Sequence, residues 1–179
     1  MSKKELQQRL QKNHLRFIHH IRSLSDFDFL YVNQNKWTAG QQVDHIIKSI
    51  APVNLAFSFP GFLLRILFGK ANRPSRTFEA LVEKYKLKLE AGGRATSRFI
   101  PHSINLTDRE KSLNHLQDLT HTLISRINSF SEEQLDTLIL PHPLLGKLTL
   151  REMLYFTIHH VEHHEIQVMK NLEKHLSTP

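Results

Sequence analysis

Cysteine is absent from this chain of 179 residues. Without a thiol the protein has no disulfide bond, no thiolate zinc site and no cysteine nucleophile. The absence fits a reducing compartment, and we expect a cytoplasmic protein. Residues 1–8 also lack the apolar stretch of a signal peptide, which supports the same expectation. A reactive site in this chain must therefore be built from other side chains.

Long apolar runs and basic runs are scarce as well. The one candidate membrane span, residues 53–68, is short, carries Arg65 and is interrupted by Pro60-Gly61. We expect it to be a buried or substrate-covering segment, and we expect no membrane partner. The net charge of +7 permits binding to phosphates or anionic substrates. However, the lysines and arginines are scattered without interleaved aromatics, so we expect no nucleic-acid partner.

The chain also lacks internal repeats and low-complexity linkers. With 40% hydrophobic and 23% charged residues, its composition is ordinary for a globular protein. A chain of this length can bury a core without disulfides or metal staples. We therefore expect a single domain over residues 1–179. No segment alternates convincingly with a period of two, so strands should be few or absent.

Apolar residues recur at helical spacing instead. Capping boxes are expected at Thr38 with Gln41 and at Thr149 with Glu152, and a helix start is expected at residues 107–110. The expected helices cover residues 3–24, 38 to about 52, 77–91, 107–130 and 149 onward, with a short helical turn at 131–135. Loops are expected at residues 26–36 and 141–146. This arrangement predicts an antiparallel helical bundle, and the length of residues 54–105 permits a crossover connection.

A histidine cluster lies within the last predicted helix. Histidines four apart share a helix face, so His159/His163 and His160/His164 are two candidate metal-binding pairs. The apolar stripe of this helix comprises Leu150, Leu154, Ile158, Val161, Val168 and Leu172. His160 and His164 lie on its shoulder and should face inward. The other pair should be solvated, or should join a dimer interface. Such pairs are more often incidental than ligands, so a third ligand is needed.

His45, in the second predicted helix, is the candidate third ligand. It lies off the centre of that helix's apolar stripe, on a side shared with Gln42 and Ser49. It is therefore either an exposed polar histidine or a residue that faces a polar pocket. His142, between two prolines, is a candidate for the rim of such a pocket. For the remaining histidines, a lone core or surface position is the default.

The start Trp37-Thr38, the histidine eight residues on at His45, and the C-terminal pattern His160-x-x-x-His164-x-x-Gln167 resemble the DinB-like (YfiT-type) superfamily. The match covers nearly the whole chain, with the helices in the same order. The resemblance implies an all-α fold, a four-helix bundle with additional short helices. It also implies that His45, His160 and His164 hold one divalent metal ion, zinc or nickel.

The resemblance further implies a function. Members are described as metal-dependent hydrolases, and some relatives transfer low-molecular-weight thiols onto other molecules. We therefore expect a metal-dependent enzyme that performs hydrolysis or thiol (S-) transfer on a small-molecule substrate. Many members are dimers, so a homodimer is expected. A non-catalytic metal-binding or stress-related dimeric protein is the alternative. A dimeric interaction module without metal would follow if His45 were far from His160.

Three neutral imidazoles leave a bound divalent ion with its full charge and with open coordination positions, which is the pattern of catalytic sites. Water or a substrate thiolate or carbonyl can then occupy the open position. No general base is obvious, because Glu162 and Glu165 should project elsewhere on the helix. Gln167 is either a partner that orients an imidazole or a polar core residue.

Overall fold

The structure is a computed structural model that describes residues 1–34 and 36–176, with only the backbone described for residues 174–176. Helices dominate these residues, and one β-hairpin precedes the last helix. The elements are α1 (Lys3–Ser23), α2 (Asp26–Leu30), α3 (Ala39–Ala56), α4 (Gly61–Phe68), α5 (Phe78–Glu90), α6 (Arg109–Ile127), α7 (Glu132–Thr137), β1 (Ile139–His142), β2 (Gly146–Thr149) and α8 (Leu150–Leu176). Two 3₁₀ turns, Ser97–Phe99 and Leu106–Asp108, precede α6.

Two helix starts follow from local capping chemistry, as predicted. At α3, the Thr38 hydroxyl accepts from the Gln41 N–H at 3.1 Å, and the Thr38 N–H donates to Gln41 Oε1 at 2.9 Å. At α8, Thr149 and Glu152 make the same reciprocal pair, at 3.1 and 3.0 Å. Each box satisfies N–H groups that a helix start leaves without partners. Short-range contacts thus help to set where the helices that carry His45, His160 and His164 begin.

The helix start predicted at residues 107–110 is confirmed, but Thr107 is not its cap. Thr107 lies inside a 3₁₀ turn, so its backbone is not in the extended conformation that an N-cap requires. Helix α6 begins after that turn, at Arg109, and its N-cap residue Asp108 makes no side-chain capping bond.

Two segments expected as loops contain regular structure. Residues 26–36 begin with α2, whose N-cap Ser25 accepts from the Asp28 N–H at 3.1 Å. Residues 139–149 form an antiparallel hairpin that pairs Ile139 with Thr149, and Gly146, the first residue of β2, adopts a φ of 77°. Each strand has four residues, which is too short for a convincing alternation of polar and apolar positions. The chain is therefore mostly helical with one small sheet.

Helix α3 continues through Pro52, where the sequence suggested an end. Proline removes one helical hydrogen bond, but the following turn is held by tertiary contacts. The Asn54 side chain donates to the Leu119 carbonyl at 2.6 Å, and Arg126 donates to the Asn54 carbonyl at 2.6 Å. Both partners belong to α6, so packing against α6 outweighs the local preference.

Four long helices, α1, α3, α6 and α8, form the bundle. Helix α1 packs against α6 and α8, and α3 packs against the same two helices. Consequently α1 and α3 lie diagonally opposite each other in the bundle, and so do α6 and α8. The connections from α1 to α3 and from α6 to α8 therefore each run across an end of the bundle. The long segment 54–105, which was expected to permit a crossover, joins the neighbouring helices α3 and α6 instead. This order makes α3 and α8 neighbours.

The core confirms the apolar stripe predicted for α8. Five of its six positions are buried, and Leu172 packs against the core while partly exposed. From α1 the core receives Leu6, Leu10, Phe17, Ile18 and Ile21, and from α3 it receives Val43, Ile46, Ile50 and Val53. Helix α5 packs across the outside of α8.

No single helix among the described residues is long and apolar enough to cross a membrane. Helices α3 and α4 reach that criterion only as a pair bent by 106°. Residues 53–68 are expected to be buried or to cover a substrate, and burial holds for Val53, Phe57 and Leu64. On the outer face of α4, Phe62 and Ile66 are exposed, because α4 packs against the hairpin on its other side.

Candidate metal centre

The side chains of His45, His160 and His164 meet between α3 and α8. The Nε2 atom of His160 lies 3.2 Å from Nε2 of His45 and 3.0 Å from Nε2 of His164. The potential ligand atoms of all three residues lie within 4.8 Å of one another. Each residue is only 5–6% exposed. The structure therefore brings together the three histidines that the sequence suggested.

Helix α8 presents the pair that was predicted to face inward. His160 and His164 are one turn apart, and their ring centroids are 4.5 Å apart at an interplanar angle of 89°. The ring of Phe156, one turn earlier, stacks on His160 at 4.6 Å and 26°. Burial of both histidines on the shoulder of the apolar stripe confirms the reading from helical periodicity.

For His45, the sequence left two positions open, and the structure shows the buried one. Its Nδ1 atom donates to the Phe99 carbonyl oxygen at 2.7 Å. The Trp37 ring packs 4.9 Å from its imidazole. The polar side of α3 therefore faces α8. This histidine is held from behind by a backbone carbonyl of the 3₁₀ turn Ser97–Phe99.

The segment that supplies the Phe99 carbonyl is itself fastened to α3. Lys48 donates to the Ile100 carbonyl at 2.9 Å and pairs with Asp44 at 2.8 Å. Asp44 accepts from the His102 N–H at 2.7 Å. We call residues 99–102 the strap. Asp44 and Lys48 thus bind the strap, and His45, which lies between them on α3, donates to it.

His164 is oriented by a residue that sequence reasoning missed. Its Nδ1 atom donates to Oε1 of Gln42, which is buried on α3. Gln167, which was considered for such a role, is partly exposed, and the acceptor of the His164 Nδ1–H is Gln42 instead. Gln42 precedes His45 by three positions, a spacing that places both on one helix face. That spacing was the available signal.

The protonation states of the three imidazoles follow from burial and hydrogen bonding. Burial lowers the pKa of His45, and it lowers the pKa values of His160 and His164 well below the ordinary value. All three are therefore neutral at pH 7. Because Nδ1 of His45 and of His164 each donates to an oxygen, the Nε2 atom of each carries a lone pair.

This donor set fits a metal ion. A single proton on His160 Nε2 can satisfy one of its two close nitrogen contacts but not both. A divalent cation can accept the three converging lone pairs, and neutral imidazoles are common ligands of zinc, nickel and copper. Among the described residues, these three histidines are the group whose potential ligand atoms lie close enough together to share one ion.

Aromatic rings surround the three imidazoles. The Trp37 ring stacks on His164 at 6.1 Å and 12°. Tyr85 of α5 meets His160 edge-on at 6.1 Å and is itself buried. Burial raises the pKa of Tyr85 to about 12, so its hydroxyl remains protonated at neutral pH. These walls limit water and lower the local dielectric constant, which strengthens electrostatic interactions at the site.

The second pair, His159 and His163, is not the solvated surface that was expected. The Tyr85 ring packs edge-on against both imidazoles, at 6.0 and 5.7 Å. Phe78 packs against His159 at 6.4 Å. Both histidines are partly buried because α5 covers this side of α8. Burial lowers the pKa of His163 to about 4.

The remaining candidates lie apart from the three imidazoles. His142 packs against Phe156 at 4.3 Å, and its Nδ1 accepts from the N–H groups of Leu144 and Leu145. His142 thus contacts Phe156, whose ring stacks on His160. Glu165 pairs with Arg16 at 2.7 Å on the α1 side of α8, as its expected direction implied. Among the other histidines whose side chains the structure describes, the exposed ones are His19, His102, His115 and His121.

The comparisons with known proteins agree with this architecture. A family model described as the DinB superfamily matches residues 9–168. The solved structure of YfiT from Bacillus subtilis, described as a probable metal-dependent hydrolase with an unusual four-helix bundle topology, matches with a TM-score of 0.65. The match covers 99% of this chain and 91% of YfiT at 16% identity, so it concerns the fold. A search of curated proteins found no match.

Proposed function

This chain belongs to the DinB superfamily, and on that premise we propose that it is a metal-dependent hydrolase acting on a small-molecule substrate. In this proposal His45, His160 and His164 are the ligands of one divalent ion, either zinc or nickel. The description of YfiT as a probable metal-dependent hydrolase supports the reaction class. The convergence of three buried imidazole nitrogens supports the site.

The observation that carries the proposal is the convergence of three buried Nε2 atoms, those of His45, His160 and His164. Two of the imidazoles are fixed through Nδ1, by the Phe99 carbonyl and by Gln42, so their Nε2 atoms are left as acceptors. Both of these atoms lie within 3.2 Å of Nε2 of His160. Metal-ligating histidines in proteins usually show this arrangement, in which the second ring nitrogen donates to an oxygen.

A divalent ion bound by three neutral ligands supplies a Lewis acid and lowers the pKa of a coordinated water molecule toward neutrality. The protein's own residues then have distinct tasks. The three histidines orient the site and remain neutral because burial lowers their pKa values. Trp37, Tyr85 and Phe156 form apolar walls that suit the uncharged part of a substrate.

Metal content tests the ligand set directly. Untagged protein purified in the presence of zinc or nickel should hold about one ion per chain, measured by elemental analysis. His45→Ala and His160→Ala should each lose it, because two remaining imidazoles bind far more weakly. His121→Ala, an exposed histidine on α6, is the matched control and should retain the ion. Metal retained at wild-type stoichiometry in both ligand variants would refute the site.

Activity assays then separate the functions. The metal-loaded protein should hydrolyse members of a panel of small esters and amides, and His160→Ala should not. If product forms only when both a low-molecular-weight thiol and an electrophile are supplied, the reaction is thiol transfer and not hydrolysis. A protein that binds metal but is inactive on every substrate pair would support the alternative, a non-catalytic metal-binding protein.

The expected homodimer and the expected cytoplasmic location stay predictions. Light scattering coupled to size-exclusion chromatography measures the molar mass of the assembly. A mass near twice 20.9 kDa would support the dimer.

A further inference from the structure

Among the groups around the three imidazoles, one side chain has a role that the ligand set does not explain. Gln42 is 3% exposed, and it lies on α3 one turn before His45. Buried amides need hydrogen-bond partners, and burying one has a cost in free energy. Oε1 of Gln42 accepts from Nδ1 of His164, so the amide is directed at a residue of the other helix.

We propose that Gln42 is a positioning residue that holds His164 in the tautomer protonated at Nδ1 and so prepares its Nε2 atom for a metal ion. The proposal rests on the proposed function as far as the metal is concerned. The tautomer itself is a property of the metal-free protein.

The chemistry gives the amide a specific task. A neutral imidazole carries its proton on either nitrogen, and only the nitrogen without a proton can bind a metal ion. The carbonyl oxygen of a glutamine side chain is an acceptor only, so the imidazole nitrogen that faces it must carry the proton. The Nε2 atom of His164, which lies 3.0 Å from that of His160, is then left with its lone pair.

The other α3-dependent ligand offers a comparison within the same protein. Nδ1 of His45 donates in the same way to the Phe99 backbone carbonyl oxygen, at 2.7 Å. A backbone carbonyl cannot be removed by substitution, whereas the amide of Gln42 can. The two acceptors are both uncharged, so neither adds negative charge next to the imidazoles. Substitution of Gln42 therefore allows the tautomer of His164 to be changed experimentally.

The tautomer can be measured without any metal. Long-range ¹H–¹⁵N correlation spectra distinguish protonated from unprotonated imidazole nitrogens, and the His164 signals can be assigned by their loss in His164→Ala. In metal-free wild-type protein at pH 7.5, we expect Nδ1 of His164 to be protonated and Nε2 to be unprotonated. In Gln42→Leu we expect the Nε2-protonated form to become a major species. An unchanged His164 pattern in folded Gln42→Leu would overturn the proposal.

Metal affinity provides the second measurement. Trp37 is the only tryptophan in the chain and lies 4.9 Å from the His45 ring, so its fluorescence should report nickel binding. Gln42→Leu should weaken nickel binding by about 10- to 100-fold, the usual effect of removing such a partner. Gln42→Glu keeps an oxygen acceptor at the same place and should restore affinity to within about threefold of wild type or better at pH 7.5.

A matched control separates positioning from loss of a buried amide. Asn54 lies on the same helix, is equally buried and donates to the Leu119 carbonyl of α6, away from the histidines. Asn54→Leu should destabilise the fold and leave both the His164 tautomer and the nickel affinity unchanged. Equal loss of affinity in Asn54→Leu and Gln42→Leu would show a general structural effect and overturn the proposal.

The two measurements also distinguish this proposal from the proposed function. If the wild-type protein binds no metal, the function fails while the spectra still decide the role of Gln42. If the wild-type protein binds nickel and Gln42→Leu binds it equally well, the function stands and the positioning role is refuted.

Discussion

The carboxylate of Glu152 should make a large contribution to stability, and the contribution should depend on pH. Its side chain is 0% exposed. It accepts from both terminal nitrogens of Arg73 at 2.7 and 2.8 Å, and from the backbone N–H groups of Arg76 and Thr149 at 2.8 and 3.0 Å. These bonds join the segment before α5 to the first turn of α8, the helix that carries His160 and His164.

The size of the effect follows from the pKa. Burial alone raises the pKa of Glu152, but the hydrogen bonds from Arg73, Arg76 and Thr149 outweigh it and lower the pKa from 4.5 to about 2. A difference of this size between folded and unfolded states corresponds to roughly 3 kcal/mol of stability at neutral pH. The two arginines are about 30% exposed and can be rehydrated when the carboxylate is lost. We therefore expect Glu152→Gln to cost about 2–3 kcal/mol at pH 7, below the usual range for breaking a buried pair.

The pH dependence has a definite sign. Because the folded-state pKa is depressed, the stabilisation is complete above pH 4.5 and is lost as the pH falls toward 2. Between pH 7 and pH 4, the stability difference between wild type and Glu152→Gln should shrink by about 1 kcal/mol. Urea unfolding followed by circular dichroism at both pH values measures it. A difference below about 0.5 kcal/mol at pH 7, or one that grows on acidification, would refute the reasoning.

Two further predictions concern a buried histidine and the strap. Burial lowers the pKa of His14 to about 4, against the opposing bond to the Leu10 carbonyl, so its stabilisation is present above pH 6.5 and is lost as the pH falls toward 4. Between pH 7.5 and pH 5, urea unfolding of His14→Leu should show about 2 kcal/mol less loss of stability than wild type; equal losses would contradict this. Lys48→Met should speed amide hydrogen exchange in residues 99–102 severalfold, measured by mass spectrometry, while Lys111→Met on α6 should not. Unchanged exchange in Lys48→Met would show that the strap is held by other contacts.

Features that depend on residues close in sequence were predicted well. The capping boxes at Thr38 and Thr149 are made by side chains three positions apart, so the starts of α3 and α8 could be located. The inward direction of His160 and His164 follows from the helical period of their own helix. The capping prediction failed at Thr107, because this residue lies within a 3₁₀ turn before α6 begins.

Features that depend on which helices are neighbours could not be predicted from pattern alone. The apolar stripe of α3 did not tell whether His45 faces solvent or α8, because this depends on the diagonal order of the bundle. The resemblance to a family supplied His45 as a candidate ligand, whereas Gln42 lies outside the motifs that carry the resemblance and is identified by its contact with His164. The cover over His159 and His163 likewise depends on the path of α5.

The separation of the histidines along the chain has a mechanical consequence. Positions 45 and 160 are 115 residues apart, so an ion shared by them cross-links the polypeptide into a very large loop. Closing such a loop removes conformations from the unfolded ensemble, as a disulfide does in oxidised proteins. A chain without thiols would thereby acquire a reversible cross-link, which a chelator would remove and added metal would restore.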